Sequence, residues 1–208
     1  MWYWFPQETT WPEPLTSIVT VPPTVEPLTL DEGKLRANLD WLDGDPRDAL
    51  MLAWIQTARA RVEFDTGRSL LTQTREAYAD TLGWITELPE RCRPLQHVTS
   101  ITYTDATGQV QTVDPAVYTV DVARGRIVLN RGQQWPTGRN YALPWVITLD
   151  AGWPDVASID PIPLQLVGLL TAHLATLGRD LATVDPAVVE IPYGYKELLD
   201  SYIAVSVA

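Results

Sequence analysis

At 208 residues and 46% hydrophobic composition, the chain has enough apolar material for one domain, or a domain with an insertion, and is too apolar for global disorder. A formal net charge of -11 argues against a DNA-binding surface spread over the whole chain. One cysteine, Cys92, excludes an intrachain disulfide and fits a reducing compartment, and neither a secretory signal nor a membrane-spanning run of ~20 apolar residues is expected.

The charge is unevenly placed. Residues 1–67 hold eleven acids and five bases, residues 68–149 seven and eight, and residues 150–208 eight and two. A near-neutral middle between two acidic flanks suggests a separate middle segment.

Residues 1–28 read as an extended arm. WYWF at Trp2–Phe5 and then Trp11 stand among Pro6, Pro12, Pro14, Pro22, Pro23 and Pro27, a proline density that blocks helix and central strand. Trp2, Tyr3, Trp4, Phe5 and Trp11 are candidate contacts to a neighbouring subunit or partner, although the arm could equally fold back on its own domain. Thr29 and Glu32 form a capping-box pair that opens a first helix, with Leu30, Leu35, Leu39 and Leu42 as its apolar face. After the turn WLDGD, a long helix is expected from Asp45 to Gly67, capped by Asp45 with Pro46 in the first turn and closed by Gly67. Met51, Trp54, Ile55, Ala58 and Val62 make its apolar stripe, widened by Leu50 and Phe64, and Arg47, Gln56, Arg59, Arg61, Glu63 and Asp65 lie opposite. The chain is organised around this rod of roughly 30 Å.

Beyond Gly67 the period changes from 3.6 to 2. Strands are expected at Leu71–Tyr78, Trp84–Leu88, Val98–Thr104, Val110–Val113, Tyr118–Asp121, Arg126–Leu129 and Trp145–Leu149, with a hairpin turn at Asp105–Gly108. They make a small antiparallel sheet or barrel. Asp160 and Pro161 then start a mostly apolar helix striped by Leu164, Val167, Leu170, Leu174 and Leu177. A loop at 183–192, a last helix over Tyr195–Ile203 and an uncharged apolar tail at 204–208 complete the chain. The expected fold is α+β: a bundle of about four helices from 29–67 and 155–203, with a small antiparallel β domain inserted at 68–154.

No catalytic residue, metal site or cofactor is nominated. His97 and His173 lack a local motif, Cys92 lacks the surroundings of a nucleophile, and no phosphate-cradling glycine loop or metalloprotease motif occurs. The densest acidic group, Asp40, Asp43, Asp45 and Asp48, does not have EF-hand spacing, and helix capping already accounts for Asp45 and Asp48. Trp135, Trp145 and Trp153 could stack on a sugar ring or fill a core.

Several stretches together resemble the gp6-like head–tail connector proteins of long-tailed phages and gene transfer agents, also called adaptor or head-completion proteins. They are Thr29–Leu42 with the long helix ending FDTGRSLLTQT at Phe64–Thr74, PLQHVTSITYTDATGQ at Pro94–Gln109, DPAVYTVD at Asp114–Asp121, and GRIVLNRGQQWP at Gly125–Pro136. VITLDAGWP at Val146–Pro154, the helix from Pro161 to Asp180 and IPYGYKELLDSY at Ile191–Tyr202 follow in the same order, so the likeness covers about residues 29–203. The resemblance implies a non-enzymatic virion protein at the head–tail junction, assembled in the host cytoplasm. It implies a ring, commonly of twelve copies, beneath the capsid portal. The ring extends the DNA channel without binding DNA specifically, meets a downstream neck or tail protein and involves no membrane. The candidate portal-binding residues are Tyr193, Tyr195, Leu198, Leu199, Tyr202, Ile203, Val205 and Val207. Acidic flanks suit a channel wall that lets DNA slide, because like charge repels phosphate. Two other readings stay open at this point: a carbohydrate- or host-binding module on the β domain, and a small hydrolase with facing carboxylates.

Overall fold

A computed structural model of the chain describes residues 15–138, 143–180 and 193–206. Among these residues it contains four α-helices and eight β-strands, an α+β fold. The chain divides into two units: Val21–Gln73 joins the chain from Ala151 onward, and the chain up to Thr20 joins Thr74–Asp150.

The first unit is helical. Helix α1 (Leu30–Arg36) opens on the expected capping box: the Glu32 amide donates to Thr29 Oγ1 at 3.2 Å and the Thr29 amide to Glu32 Oε2 at 2.8 Å. It then runs only two turns, because Asn38 takes a left-handed φ of 53°. The expected leucine stripe is therefore corrected in part: Leu30 and Leu39 pack against the core, but the other two do not. Leu35 is 80% and Leu42 86% exposed, while Gly33, Lys34 and Ala37 face inward. Gly33 is the contact point: a Cβ there would meet Met51 Sδ at 2.9 Å, so only glycine lets α1 lie this close to the next helix.

Helix α2 (Asp48–Thr66) starts later than Asp45, with Arg47 at the cap position and no side-chain cap bond. Asp45 instead accepts from the amide and guanidinium of Arg47, which tightens the turn before the helix. Gly67, at φ 67°, closes α2 as expected. Met51, Ile55, Ala58 and Val62 are fully buried at spacings of four, three and four, and Trp54 packs beside them. Leu50 and Phe64, expected to widen the stripe, are exposed: they lie outside the arc that the neighbouring helices cover.

Helix α3 (Pro161–Asp180) begins where Pro161 suits a first turn, and packs on both α1 and α2. Its window Pro161–Gly178 carries no Asp, Glu, Lys or Arg, and by length and composition it is apolar enough to cross a membrane, which corrects the sequence reading. Leu166, Val167, Leu170 and Ala175 bury its stripe in the same core as α2, which accounts for that composition. Helix α4 (Tyr193–Ser206) packs on α3 and α2.

The second unit carries two sheets. The five-stranded sheet has the order β1-β2-β8-β4-β5 and the three-stranded sheet the order β3-β7-β6. The first comprises β1 (Thr16–Val21), β2 (Gln73–Ala79), β4 (Leu95–Thr104), β5 (Val110–Thr112) and β8 (Trp145–Ala151); the second comprises β3 (Ile85–Glu87), β6 (Tyr118–Asp121) and β7 (Arg126–Leu129). Strands β2 and β8 bury every second residue, the period-2 signature of a sheet with one face covered. β1 falls inside the stretch expected to be an arm. Proline excludes a central strand but tolerates an outer one, and Pro22 and Pro23 stand just past its end. The rest of that stretch, residues 1–14, lies outside the described residues.

β4 and β5 form the expected hairpin, with Thr102 opposite Thr112 and Thr104 opposite Val110. Asp105 holds its turn. The carboxylate accepts from Thr107 Oγ1 at 2.6 Å, the Thr107 amide at 2.8 Å, the Gln109 amide at 3.0 Å and Gln111 Nε2 at 3.1 Å. The Thr107 hydroxyl is foremost in lowering the Asp105 pKa to about 2. A carboxyl lowered in the folded state stabilises above its unfolded pKa, near ~3.9, and the contribution is lost as pH falls through the folded value. The hairpin is thus expected to stay closed from neutral pH to pH 4 and to loosen below pH ~3. A carboxyl-carbon NMR titration placing Asp105 at an ordinary value would overturn this account.

Candidate docking surface

The C-terminal candidates from Tyr193 to Val205 sit on α4, and the structure sorts those whose side chains it describes. Tyr195 is buried, and its hydroxyl donates to Asp65 Oδ2 at 2.7 Å, a carboxylate that also receives Arg61 Nε at 2.8 Å. Burial, then that hydrogen bond, push the Tyr195 phenol far above its usual range. Tyr202 is also buried; its hydroxyl donates to Asp160 Oδ2 at 3.2 Å, and the Arg68 guanidinium lies 5.8 Å from its ring. Tyr195 and Tyr202 are therefore anchors that fix α4 to its own unit, which corrects their assignment as partner contacts. Leu198 and Leu199 are half-buried against the same core. Ile203 is exposed, with Lys196, Glu197 and Asp200 also turned outward. The Tyr193 and Val205 side chains and Val207 lie outside the described residues, as do Trp2, Tyr3, Trp4, Phe5, Trp11 and the loop 183–192.

A cavity of about 230 Å³ opens among α2, α3 and α4, lined by Thr57, Arg61, Leu170, His173, Leu174 and Tyr195 among others. His173 Nε2 is enclosed and has no hydrogen-bond partner among the described residues.

The acidic cluster has an internal cation that sequence reasoning missed. Lys34 Nζ lies 2.9 Å from Asp43 Oδ1 and 3.0 Å from Asp48 Oδ1, and Asp48 also accepts from Trp41 Nε1 and the Gly44 amide. Lys34, then Trp41, hold the Asp48 carboxyl below its usual range, and Arg47 lowers that of Asp45 to about 2. The cluster is a turn knot between α1 and α2. Among the described residues no group of three His, Cys, Asp or Glu side chains could hold a metal.

The three tryptophans do not form one platform. Trp145 is buried, stacks on Tyr103 at 5.2 Å and meets Trp135 edge-on at 5.9 Å; Trp135 stacks on Tyr118 and donates Nε1 to the Gly83 carbonyl at 2.8 Å. Trp153 belongs to the helical unit, half-buried against its core. Trp135 and Trp145 line an open pocket of about 280 Å³ together with Asp80, Thr81 and Pro136, but their rings stack on Tyr118 and Tyr103 and meet each other edge-on rather than as one flat face.

His97 Nε2 lies 3.3 Å from Asp150 Oδ2, and Thr74 Oγ1 donates to Asp150 Oδ1 at 2.7 Å. The carboxylate stands between hydroxyl and imidazole, whereas nucleophilic catalysis needs the imidazole in the middle. Cys92 is buried, and desolvation raises its thiol pKa, the reverse of an activated thiolate.

No family model and no curated protein sequence matches the chain. Solved structures contain chains of similar fold, three of them from gene transfer agent particles. A chain in the neck of an empty gene transfer agent (GTA) particle, computed with C6 symmetry, is 24% identical, with a TM-score of 0.66 over 90% of this chain and 94% of that one. A chain in the virion of a native GTA particle is 22% identical, with a TM-score of 0.66 and the same coverage. A chain in the neck of a native GTA particle computed with C12 symmetry is 22% identical, with a TM-score of 0.62 over 90% of this chain and 93% of that one. At these identities the likeness is one of fold, and it spans nearly the whole of both chains.

Proposed function

We propose that this chain is a connector protein of the family its sequence resembles: a structural adaptor that performs no chemistry and stands as a ring beneath the portal at the head–tail junction of a virion. The observation that carries the reading is the likeness of fold, over 90% of the chain, to chains from GTA necks computed with C6 and C12 symmetry. In this reading α1 to α4 form one helical bundle and Thr74–Asp150 is a β domain inserted into it. Twelve copies close the ring, one face meets the portal, the other a downstream neck or tail protein, and the acidic chain lines a channel through which DNA slides.

The portal contact falls at the free end of α4. Tyr195 and Tyr202 hold that helix in place, and Ile203 beside them is exposed. The decisive experiment measures the mass of the particle formed when the purified chain meets its portal protein. A portal-bound ring with the portal's symmetry is the expected result, and a monomer indifferent to the portal would sink the reading. Removing Val205–Ala208 should weaken portal binding by at least about tenfold, a loss of ~1.4 kcal/mol, and leave the thermal melt unchanged. Full binding by the shortened chain would move the contact elsewhere.

A further inference from the structure

Among the described residues the five-stranded sheet ends in β1 on one side and β5 on the other. An outer strand presents a row of backbone N–H and C=O groups without a sheet partner, and proteins ordinarily blunt such rows with lysine, inward charge or proline. β5 is blunted by its shortness alone, and neither strand carries charge or proline: β1 reads TSIVTV and β5 reads VQT. Consecutive strand residues point to opposite faces, yet Ile18 and Val19 are 49% and 42% exposed, so both faces of β1 are open to water. All three residues of β5 are exposed, Val110 at 71%. Two uncharged outer strands rich in β-branched residues are a hazard for a chain that stays alone and an asset for one that assembles.

We infer that the β1 edge of one copy receives the β5 edge of the next copy, so that the sheet continues from subunit to subunit. This rests on the ring reading above. The two edges are different surfaces on opposite sides of one sheet, so the contact is heterologous. Each copy uses β1 once and β5 once, and the series ends only by closing on itself. Pairing of β1 with a second β1 would instead give a two-fold dimer and stop. Backbone hydrogen bonds supply the attraction, β5 limits the paired length to three residues, and Ile18 and Val110 are the apolar side chains nearest the junction.

The test uses two full-length variants, Ile18→Cys and Val110→Cys, each mixed with itself or with the other and treated with a short bis-maleimide, with and without portal protein. Both positions are exposed, so the fold is unaffected, which a thermal melt verifies; native Cys92 is buried and stays in place. The mixture of the two variants should give covalent dimer at about ten times the yield of either alone. Equal yields from all three mixtures, or dimer from Ile18→Cys alone, would overturn the inference. So would capture of Ile18→Cys by the portal in place of a second copy. A portal-bound ring without the 18–110 product would also overturn it and leave the adaptor reading standing. The 18–110 product in a chain that ignores the portal would support the edge pairing and remove the adaptor reading.

Discussion

Replacing Gly152 by alanine should destabilise the helical unit by at least about 3 kcal/mol, enough to lower its melting temperature by roughly 6–12 °C. The backbone at Gly152 has φ +108°, a region that L side chains rarely adopt. A Cβ there would lie 2.2 Å from the Leu71 carbonyl oxygen and 2.3 Å from its carbon, and both are backbone atoms that no rotamer change can move. The close approach is part of the architecture: the Thr72 amide donates to the Trp153 carbonyl at 3.1 Å and the Trp153 amide to the Leu70 carbonyl at 3.4 Å. Alanine would push these segments apart while Leu70 and Leu71 are buried in the core. Urea denaturation of Gly152→Ala beside the wild type reads the effect directly. A loss below about 1 kcal/mol would mean that the approach of 71 to 152 is looser than described.

Arg59→Met should be nearly as damaging, at about 3 kcal/mol, for an electrostatic reason. Arg59 Nε lies 2.7 Å from Glu26 Oε2 and its Nη1 3.0 Å from Glu63 Oε2, and the side chains of Arg59, Glu26 and Glu63 are between 13% and 15% exposed. Methionine fills the same space and removes the only charge that compensates two carboxylates within this triad. Glu63 also accepts from the Leu70 amide at 2.9 Å and Gln73 Nε2 at 3.1 Å, so the disturbance reaches the segment leaving α2. Glu26 ties the proline-rich stretch ahead of Leu28 to α2, so that stretch should gain amide exchange in the variant. A double variant, Arg59→Met with Glu26→Gln, separates lost attraction from stranded charge and should recover a substantial part of the loss. If the double variant is no more stable than Arg59→Met alone, stranded charge is not the cause.

The elements legible in the sequence are those whose signals are local. Thr29 and Glu32 cap α1 because the capping box is a four-residue event, and Gly67 closes α2 because a left-handed terminus is a one-residue event. The β4–β5 hairpin likewise follows from its turn residues. What failed was every inference that needed to know how much of a helix its neighbours cover. Leu35, Leu42, Leu50 and Phe64 have helix-stripe spacing but lie beyond the covered arc, whereas Lys34 and Gly33 carry no apolar signal and sit inside it. The acidic cluster gave no sign of the cation that fills it, because Lys34 comes from a different element. β1 escaped notice because a six-residue outer strand among prolines has no periodic face, being exposed at five of its positions. Among the docking candidates, tyrosines at the end of a helix look the same in sequence whether they face a partner or their own core; Asp65 and Asp160, distant in the chain, decide it for Tyr195 and Tyr202.

The bridge between Leu71 and Trp153 has a further consequence, for how such a chain is built and rebuilt. Leu71 and Trp153 flank the stretch 74–150, and the bridge brings the two ends of that stretch within hydrogen-bonding reach of each other on the helical unit. The helical unit therefore has a closed seam where the chain departs and returns. The entropy of closing a loop depends only weakly on its length, so a seam of this kind is nearly indifferent to what it carries. Loops between Thr74 and Asp150 can be lengthened or shortened while the seam at Leu71 and Trp153 stays closed, whereas exchanged strands must also provide a partner for β1. The same seam is a natural cassette boundary for grafting the β segment of one particle onto the helices of another.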